Sequence, residues 1–247
     1  MGPSERMSPD ARIRVVPETG STSADLRALA DAGWPEGQWL RAERQTAGRG
    51  RQGRPWESPA GNLHASTLIR LRPDDPPVAG LGLMLGVAVH DGLARCAPHA
   101  PMLLKWPNDV MAANAKLAGM LLEREGDCVI AGIGVNVARA PALPDRATVA
   151  LAELAPGEAL TVDSVLAALA DSLDHWLAAW RREGMAAIIA AWSARAHPVG
   201  TRLSVRIGTD LPQQGDFLGL DRDGALILGR DDGTRHIVHS GDVGVLA

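Results

Sequence analysis

Apolar residues recur along this chain with two different periods, which predicts alternating strands and helices. Strand-like runs occur at three places near the start: Ile13–Val16, Trp39–Glu43 and Asn62–Leu71. Between the first two, Ser21-Thr22-Ser23 opens a predicted helix in which Thr22 and Asp25 have the spacing of a capping box. We expect Leu26 and Leu29 of this helix to face the core.

Three further helices follow from the same pattern. The run Leu81–Cys96 is almost entirely apolar, which indicates a helix buried beneath a sheet. Residues 162–182 place their large apolar side chains on one helical face, and Gly184 supplies a stop signal. A last helix is predicted at Met185–Ala196, ending before His197-Pro198.

The other segments predict short strands. Residues 102–137 contain four strand-like runs separated by turn signals: Leu103–Lys105, Val110-Met111, Lys116–Glu123 and Cys128–Val137. This pattern predicts an antiparallel meander with the helices on one side. From Val199 onward, apolar residues alternate with polar ones at Leu203, Val205 and Ile207. Later apolar runs lie on both sides of the turn Asp221–Gly224. A small β-barrel of about five strands fits this segment.

These elements predict an α/β (α+β) chain in three parts. A flexible polar tail occupies residues 1–11, a mixed-sheet domain with helices occupies residues 12–197, and a small β-barrel domain occupies residues 198–247. With 247 residues, of which 46% are hydrophobic, the chain can bury a full core.

Composition excludes several classes of protein. The net charge is −4, and the chain has no tyrosine and one phenylalanine, which argues against a protein that grips nucleic acid. Cys96 and Cys128 have neither a disulfide nor a metal-ligand spacing. The start lacks the apolar run of a signal peptide, and we expect no later segment to cross a membrane. A cytoplasmic location is therefore predicted.

The segment Gly48-Arg49-Gly50-Arg51-Gln52-Gly53-Arg54-Pro55-Trp56 is the clearest candidate for chemistry. Its glycines allow a close backbone approach to a ligand, and each guanidinium offers donors matched to phosphate or carboxylate. The glycines also fit Gly-x-Gly-x-x-Gly, but Pro55 interrupts the helix that a dinucleotide site requires. The segment alone leaves a phosphate site and a solvated basic loop as alternatives.

Two more segments carry candidate residues. The first is Lys105-Trp106-Pro107-Asn108-Asp109, followed by Lys116-Leu117-Ala118-Gly119. A hairpin between its two parts would return Lys116 to the amide of Asn108 and the carboxylate of Asp109. The second is Gly132–Val137, whose glycines would let another group pack flat against a strand. An exposed strand end and close helix packing are the respective alternatives.

In this order and spacing, the segments resemble the biotin protein ligases. Gly48–Trp56 looks like the biotinoyl-adenylate loop of that family, and three further segments match its Lys-Trp-Pro-Asn-Asp, Lys-Leu-Ala-Gly and Gly-x-Gly-x-Asn motifs: Lys105–Val110, Lys116–Glu123 and Gly132–Val137. The resemblance covers about residues 13–246. It implies a catalytic domain related to class II aminoacyl-tRNA synthetases and an SH3-like C-terminal domain.

The resemblance also implies an activity. The carboxylate of biotin would attack the α-phosphate of ATP, and the resulting biotinyl-5′-AMP would pass biotin to a lysine of a biotin carboxyl carrier protein. Biotin and ATP are the implied substrates, with Mg²⁺ accompanying the triphosphate. Lys116, Arg51 and Asp109 are the implied catalytic residues. No motif fixes a metal site, although Mg²⁺ near Asp109 is one option.

The remaining site residues divide into two groups on this resemblance. Biotin would contact Ser21, Thr22, Ser23, Gln45, Gly48, Arg49, Gly50, Arg51, Lys116 and Gly119. The nucleotide would contact Arg49, Arg51, Arg54, Trp56, Asn108, Lys116 and Asn136. Ser21 and Thr22 have helix capping as an additional role.

Two departures from the family pattern matter. Bifunctional members carry an N-terminal helix-turn-helix, which the short tail here cannot form, so we expect no sequence-specific DNA binding. His64 stands where some relatives have an aromatic residue, which leaves the packing beside biotin open. An exposed sheet edge would allow a homodimer, and the sequence leaves the oligomeric state undecided.

The sequence leaves two rival functions to compare with biotin ligation. A lipoate or octanoate ligase would use the same adenylate strategy, but its glycine-run and His-Asp signature is missing from this sequence. A non-enzymatic nucleic-acid-binding protein would need aromatic interleaving and basic charge, which the composition does not supply.

Overall fold

The computed structural model describes residues 6–7, 12–144, 146–208 and 211–246. Its strands are β1 (Arg6–Met7), β2 (Ile13–Thr19), β3 (Trp39–Gln45), β4 (Leu63–Arg70), β5 (Met102–Lys105), β6 (Asp109–Ala112), β7 (Ala115–Glu125), β8 (Cys128–Val135), β9 (Arg202–Arg206), β10 (Gln213–Leu220), β11 (Leu226–Gly229), β12 (Arg235–Val238) and β13 (Asp242–Val245). Its helices are α1 (Thr22–Asp31), α2 (Leu81–Cys96), α3 (Leu151–Leu154), α4 (Val162–Glu183) and α5 (Met185–Ser193). Apart from β1, the predicted tail lies outside the described residues.

The first eight strands form one mixed sheet in the order β1-β2-β3-β4-β8-β7-β6-β5. Strands β2 and β3 are parallel, with α1 as their crossover, and the other described neighbours are antiparallel. The meander predicted for residues 102–137 is confirmed, because β5 to β8 are consecutive antiparallel neighbours.

Helices cover both faces of this sheet, so the prediction that they lie on one side is wrong. Helices α2, α4 and α5 pack together on one face, whereas α1 packs on the other through Leu26. The physical reason is visible in β4, where the consecutive residues Leu68 and Ile69 are both 1% exposed and point to opposite faces. A strand that is apolar on both sides needs cover on both sides.

Helix α2 lies between the sheet and α4, which explains its nearly continuous apolar sequence. We expected no segment with the character of a membrane span. Within the described residues, however, Val78–Cys96 is long and apolar enough by length and composition, and 61% of its apolar window is buried inside the protein. This is the composition of a core helix that packs against the sheet and against α4.

The last five strands form a second, antiparallel sheet in the order β12-β11-β10-β9-β13, as predicted for the terminal segment. Its inner side chains join the main core, where Phe217 meets Trp192 of α5 edge to face at 6.3 Å between ring centroids. Within β12, Val238 faces inward and Ile237 is 39% exposed.

The start of α1 differs from the predicted capping box. Ser21 is the N-cap residue, and its side chain makes no capping hydrogen bond with a described residue. Asp25 instead accepts a hydrogen bond from the hydroxyl of Thr19. Thr22 turns toward Gln45 and Ser66, and therefore its hydroxyl faces the interior of the protein instead of the helix end.

A charged cluster at Asp91 fastens α2 to α4 and to the residues after α5. Arg195 donates to its two oxygens at 2.6 and 2.9 Å, and the Trp176 indole donates at 3.0 Å. Burial alone would raise the pKa of Asp91, but His90, Arg195 and Trp176 hold it well below its usual value. The carboxylate is therefore ionised in the folded protein at neutral pH.

Replacing Asp91 with Asn should lower the free energy of unfolding by about 2 kcal/mol, because Arg195 loses a partly buried charged partner. Denaturant unfolding of both proteins measures this difference. It should be fully present above the unfolded-state pKa of about 4 and be lost as the pH falls through the lower folded-state pKa. The exposed pair between Asp171 and Arg12, 2.8 Å apart, is the control. Asp171→Asn should cost less than about 0.5 kcal/mol, and an equal loss in both variants would contradict the role of Asp91.

Candidate active site

A cleft of about 760 Å³ opens between the eight-stranded sheet, the C-terminal sheet and the segment Gly48–Trp56, which we call the arginine loop. Most of the predicted site residues line it: Ser21, Thr22, Ser23, Gln45, Arg49, Gly50, Arg51, Arg54, Trp56, Asn108, Asp109, Lys116 and Gly119. The prediction missed several other lining residues, including Ser66, Lys105, Arg146, Ser204, Arg206 and Asp242.

Hydroxyl groups gather at one end of the cleft, where α1 begins beside β4. Thr22 Oγ1 lies 2.7 Å from Ser66 Oγ and 3.1 Å from Gln45 Oε1. Ser23 Oγ lies 3.0 Å from the same Ser66 oxygen. Gly132 makes room for this cluster, since a Cβ there would lie 2.6 Å from Ser23 Oγ. Donors and acceptors packed this closely suit a compact, neutral polar group such as a cyclic urea.

Trp56 lies flat against two glycines of the sheet. A Cβ at Gly134 would lie 2.4 Å from the indole, and a Cβ at Gly119 would lie 3.0 Å from it. The group predicted to pack against Gly132–Val137 is therefore this indole. Lys116 Nζ stands 5.3 Å from the centroid of the Trp56 ring, in a cation–π arrangement.

One carboxylate binds two lysines on the wall of the cleft. Asp109 Oδ1 lies 2.6 Å from Lys116 Nζ, and Asp109 Oδ2 lies 3.1 Å from Lys105 Nζ. The β6–β7 hairpin creates this geometry, because its turn at Ala113 and Asn114, with φ of 47° and 62°, folds Lys116 back beside Asp109. The predicted juxtaposition of Lys116, Asp109 and Asn108 is confirmed by their shared place in the cleft.

Burial and charge act against each other in this cluster. Burial lowers the pKa of Lys116 below its usual value, and the opposing attraction of Asp109 only partly compensates. Burial would raise the pKa of Asp109, but the two lysines outweigh it and hold that pKa below its usual value. Breaking a buried pair by removing one partner typically costs about 3–5 kcal/mol. Loss of one member of this cluster would therefore leave a buried charge without its partner.

The arginine loop is fastened to both sheets. Its ends meet at a bridge between Arg49 and Pro55, and Gln52 at its tip adopts a left-handed conformation with φ of 57°. Arg51 donates to Gly241 O at 3.2 Å and to Asn108 Oδ1 at 3.4 Å. The contacts of Arg51 thus reach from the loop to the C-terminal sheet and to the Lys-Trp-Pro-Asn-Asp segment.

The next arginine of the loop holds a carboxylate. Arg54 binds both oxygens of Asp242 in β13 through one guanidinium nitrogen. Burial lowers the pKa of Arg51, but an arginine remains a cation at any physiological pH. The loop therefore brings two cations, Arg51 and Arg54, to the cleft that the hydroxyl cluster also lines.

Two predicted ligand contacts are placed behind the cleft instead of on its surface. Asn136 is 2% exposed, and its side-chain amide donates to the carbonyls of Lys116 and Val149 at 3.2 and 3.3 Å. Gly48 lies against Gln45 and Trp56, and its carbonyl accepts from the Trp56 amide at 2.9 Å. Both residues support neighbours that line the cleft.

His64 is also a supporting residue. It pairs with Gly134 across β4 and β8, is 1% exposed and does not line the cleft. Its Nε2 lies 3.3 Å from Pro59 O, and its Nδ1 has no hydrogen-bond partner among the described residues. Burial lowers the pKa of His64 to about 4, so the ring is neutral at physiological pH.

The cleft residues that were not predicted differ in whether the sequence alone could have indicated them. Lys105 lies inside the Lys-Trp-Pro-Asn-Asp segment, four residues before Asp109, so the sequence itself indicates that the two side chains can meet. Arg206 and Asp242 come from the C-terminal sheet, and a hydrogen bond such as Arg54 to Asp242 spans 188 residues. No local pattern predicts a contact of that range.

No group of three His, Cys, Asp or Glu side chains within metal-binding distance occurs among the described residues. The acidic residues that line the cleft are Glu57, Asp109 and Asp242; both oxygens of Asp109 already bind lysines, and Asp242 binds Arg54. This donor set does not fit a cation held by the protein alone. A divalent ion here would need ligands from a bound phosphate chain.

Comparison with known proteins agrees with this geometry. Residues 15–136 match the Biotin/lipoate A/B protein ligase family, and residues 204–245 match the Biotin protein ligase C terminal domain. A biotin--[acetyl-CoA-carboxylase] ligase of Paracoccus denitrificans is 37% identical over 235 residues, which cover 91% of this chain and 97% of that protein. A ligase of the same name from Mycobacterium tuberculosis is 38% identical over 246 residues, covering 94% of this chain and 88% of that one. This chain belongs to the biotin protein ligase family.

The fold agrees with solved structures of biotin protein ligases. The enzyme of Aquifex aeolicus in complex with biotin and ATP superimposes with a TM-score of 0.82 at 26% identity, over 95% of this chain and 99% of that chain. The predicted fold class, a mixed α/β domain followed by an SH3-like C-terminal domain, is therefore confirmed.

Replacing Gly134 with Ala should displace Trp56 and loosen the arginine loop, because the new Cβ would lie 2.4 Å from the indole. Limited trypsin digestion should then cut faster after Arg49 and Arg51, whereas Pro55 protects the bond after Arg54 from trypsin. The matched control is Gly86→Ala in α2, where the new Cβ would meet its nearest neighbour at an ordinary 3.5 Å. Equal cleavage rates in both variants would show that Trp56 does not anchor the loop.

Proposed function

We propose that this member of the biotin protein ligase family activates biotin with ATP and transfers it to a lysine of a biotin carboxyl carrier protein. The observation that carries the proposal is the position of Lys116. Its ammonium lies in one cleft with the hydroxyl cluster, which suits the ureido ring of biotin, and with the arginine loop, which suits phosphate. A cation at that junction can bind two anions that must react with each other.

In the first step, an oxygen of the biotin carboxylate attacks the α-phosphorus of ATP, and pyrophosphate leaves with the electrons of the broken P–O bond. Both reactants are anions, so fixed cations lower the barrier by holding them together and by stabilising the charge that develops. Lys116 would bridge carboxylate and α-phosphate, while Arg49, Arg51 and Arg54 would hold phosphate oxygens. Trp56 and Asn108 would contact the nucleotide.

In the second step, the ε-amine of the carrier lysine attacks the carbonyl carbon of biotinyl-AMP, an amide forms, and AMP leaves. The amine must lose a proton during this attack. Asp109 has two candidate roles, which are to orient Lys116 or to receive that proton. Its two ion pairs favour the orienting role, because both oxygens are engaged by lysines.

Magnesium would enter with the nucleotide. The donor set of the described residues does not hold the ion by itself, so we assign no step to a protein-bound metal. ATP and carrier proteins coexist in the cytoplasm, where we expect the reaction to occur. The net charge of −4 gives no support to sequence-specific DNA binding. A homodimer stays an open prediction.

Exchange of labelled pyrophosphate into ATP tests the proposed function. Exchange should depend on biotin and should not be supported by lipoate or octanoate, because the hydroxyl cluster offers partners that those acids cannot use. Incubation with a purified biotin carboxyl carrier domain should then give one biotin per carrier. Exchange driven by lipoate and not by biotin would overturn the assignment in favour of the rival ligase.

Replacing Lys116 with Ala should remove most of the exchange activity. Loss of one preorganised charge contact typically costs about 2.7–4 kcal/mol, or 10²–10³ in rate. Steady-state exchange at saturating biotin and ATP measures the loss, with circular dichroism to establish that the variant folds. Near-normal exchange would show that the ammonium of Lys116 does not take part.

Replacing Arg51 with Gly should weaken retention of biotinyl-AMP more than its formation. Arg51 ties the arginine loop to Gly241 and Asn108, so its loss should let the loop open and the reactive anhydride escape. The measurement is biotin incorporated into an unrelated lysine-rich protein, compared with the wild type. Persistent exchange activity without increased labelling of that protein would contradict this gating role.

A further inference from the structure

Lys105 is a partly buried cation of the cleft to which the proposed reaction gives no task. Its side chain is 16% exposed, and its ammonium contacts Asp109 Oδ2 at 3.1 Å. The same nitrogen donates to the carbonyl of Val243 in β13 at 2.9 Å. Lys105 therefore joins the acidic centre of the cleft to the C-terminal sheet, 138 residues away along the chain.

Lys116 depends on the same carboxylate. Asp109 is 6% exposed, and its two oxygens each hold one of the two lysines. A carboxylate held at Oδ2 cannot rotate without breaking that ion pair, so Oδ1 is presented to Lys116 in a fixed direction. Without Lys105, rotation about the carboxyl bond would let the Lys116 ammonium occupy a range of positions.

We propose that Lys105 is a positioning residue, which holds Asp109 so that Asp109 in turn holds Lys116 at the junction of the two reacting anions. Its bond to Val243 makes the position of Lys116 depend on the docking of the C-terminal sheet. This inference rests on the proposed function of the cleft.

The charges around these groups give the proposal a second consequence. Lys116 is surrounded by Asp109, Lys105, Arg146 and the face of Trp56. After burial, which lowers the pKa of Lys116 most, Lys105 lowers it further by charge repulsion, against the attraction of Asp109. Lys105 itself faces Asp109 and also His197, whose pKa is lowered first by burial and then by the charge of Lys105. Removing the charge at position 105 should therefore raise the pKa of Lys116.

The test uses the full chain with Lys105→Met, which keeps an unbranched side chain only one atom shorter and removes its charge. Biotin-dependent pyrophosphate exchange should show a kcat reduced on the order of 10- to 100-fold, as is typical for residues that orient a functional group from behind. KM for biotin should change less than about threefold, because the hydroxyl cluster is untouched. Competitive labelling of Lys116 with acetic anhydride, followed by mass spectrometry over a pH range, should show titration at higher pH than in the wild type.

Two further variants separate charge from architecture. Lys105→Gln keeps a donor for the Val243 carbonyl but lacks the charge, and it should shift the Lys116 titration as Lys105→Met does. It also supplies the measurement if Lys105→Met does not fold. Arg182→Met removes one positive charge at a side chain that is 67% exposed on α4. This control should leave both kcat and the Lys116 titration unchanged.

The outcomes decide between the roles. A lower kcat together with a shifted Lys116 titration supports positioning. An unchanged kcat, or a lower kcat with an unshifted titration, overturns it and leaves Lys105 as a structural tie between the two sheets. Absence of biotin-dependent exchange in the wild type would instead refute the proposed function, and the titration of Lys116 would remain measurable in that case.

Discussion

A single buried carboxylate between two ammonium groups is the constraint on which the rest of this structure depends. Withdrawing Asp109 from water is unfavourable unless both of its oxygens find cations, and Lys105 and Lys116 meet that requirement from neighbouring strands. The hairpin turn, the register of β6 on β7 and the docking of β13 all serve the same arrangement. A change in any of these elements would leave a buried charge without its partner.

The second constraint is that the sheet must carry glycine at the positions where Trp56 packs against it. Gly119 and Gly134 create a surface on which Trp56 can lie, and Trp56 in turn fixes the end of the arginine loop. The loop itself needs backbone freedom at its tip, where Gln52 and Gly53 have φ of 57° and 71°. Small residues thus determine where the largest side chain of the site is held.

Much of this organisation could be predicted from the sequence, because it depends on local spacing. The period of apolar residues located α2 at Leu81–Cys96, and the turn between two motif segments predicted the approach of Lys116 to Asp109. The failures have a common cause. Helix α1 on the opposite face, the support that Asn136 gives to Lys116, and the contribution of Asp242 all depend on tertiary contacts between distant segments. The local spacing of residues does not predict contacts between distant segments.

The ties to β13 also have a consequence for the way this protein is made. Ribosomes synthesise a chain from its N-terminus, so the arginine loop and Lys105 emerge well before Gly241, Asp242 and Val243, which they bind. The catalytic sheet can fold early, but its cleft lacks one wall until the final strands appear. Until β13 has been made, Arg54 and Lys105 lack the carboxylate and the carbonyl that they bind in the folded protein.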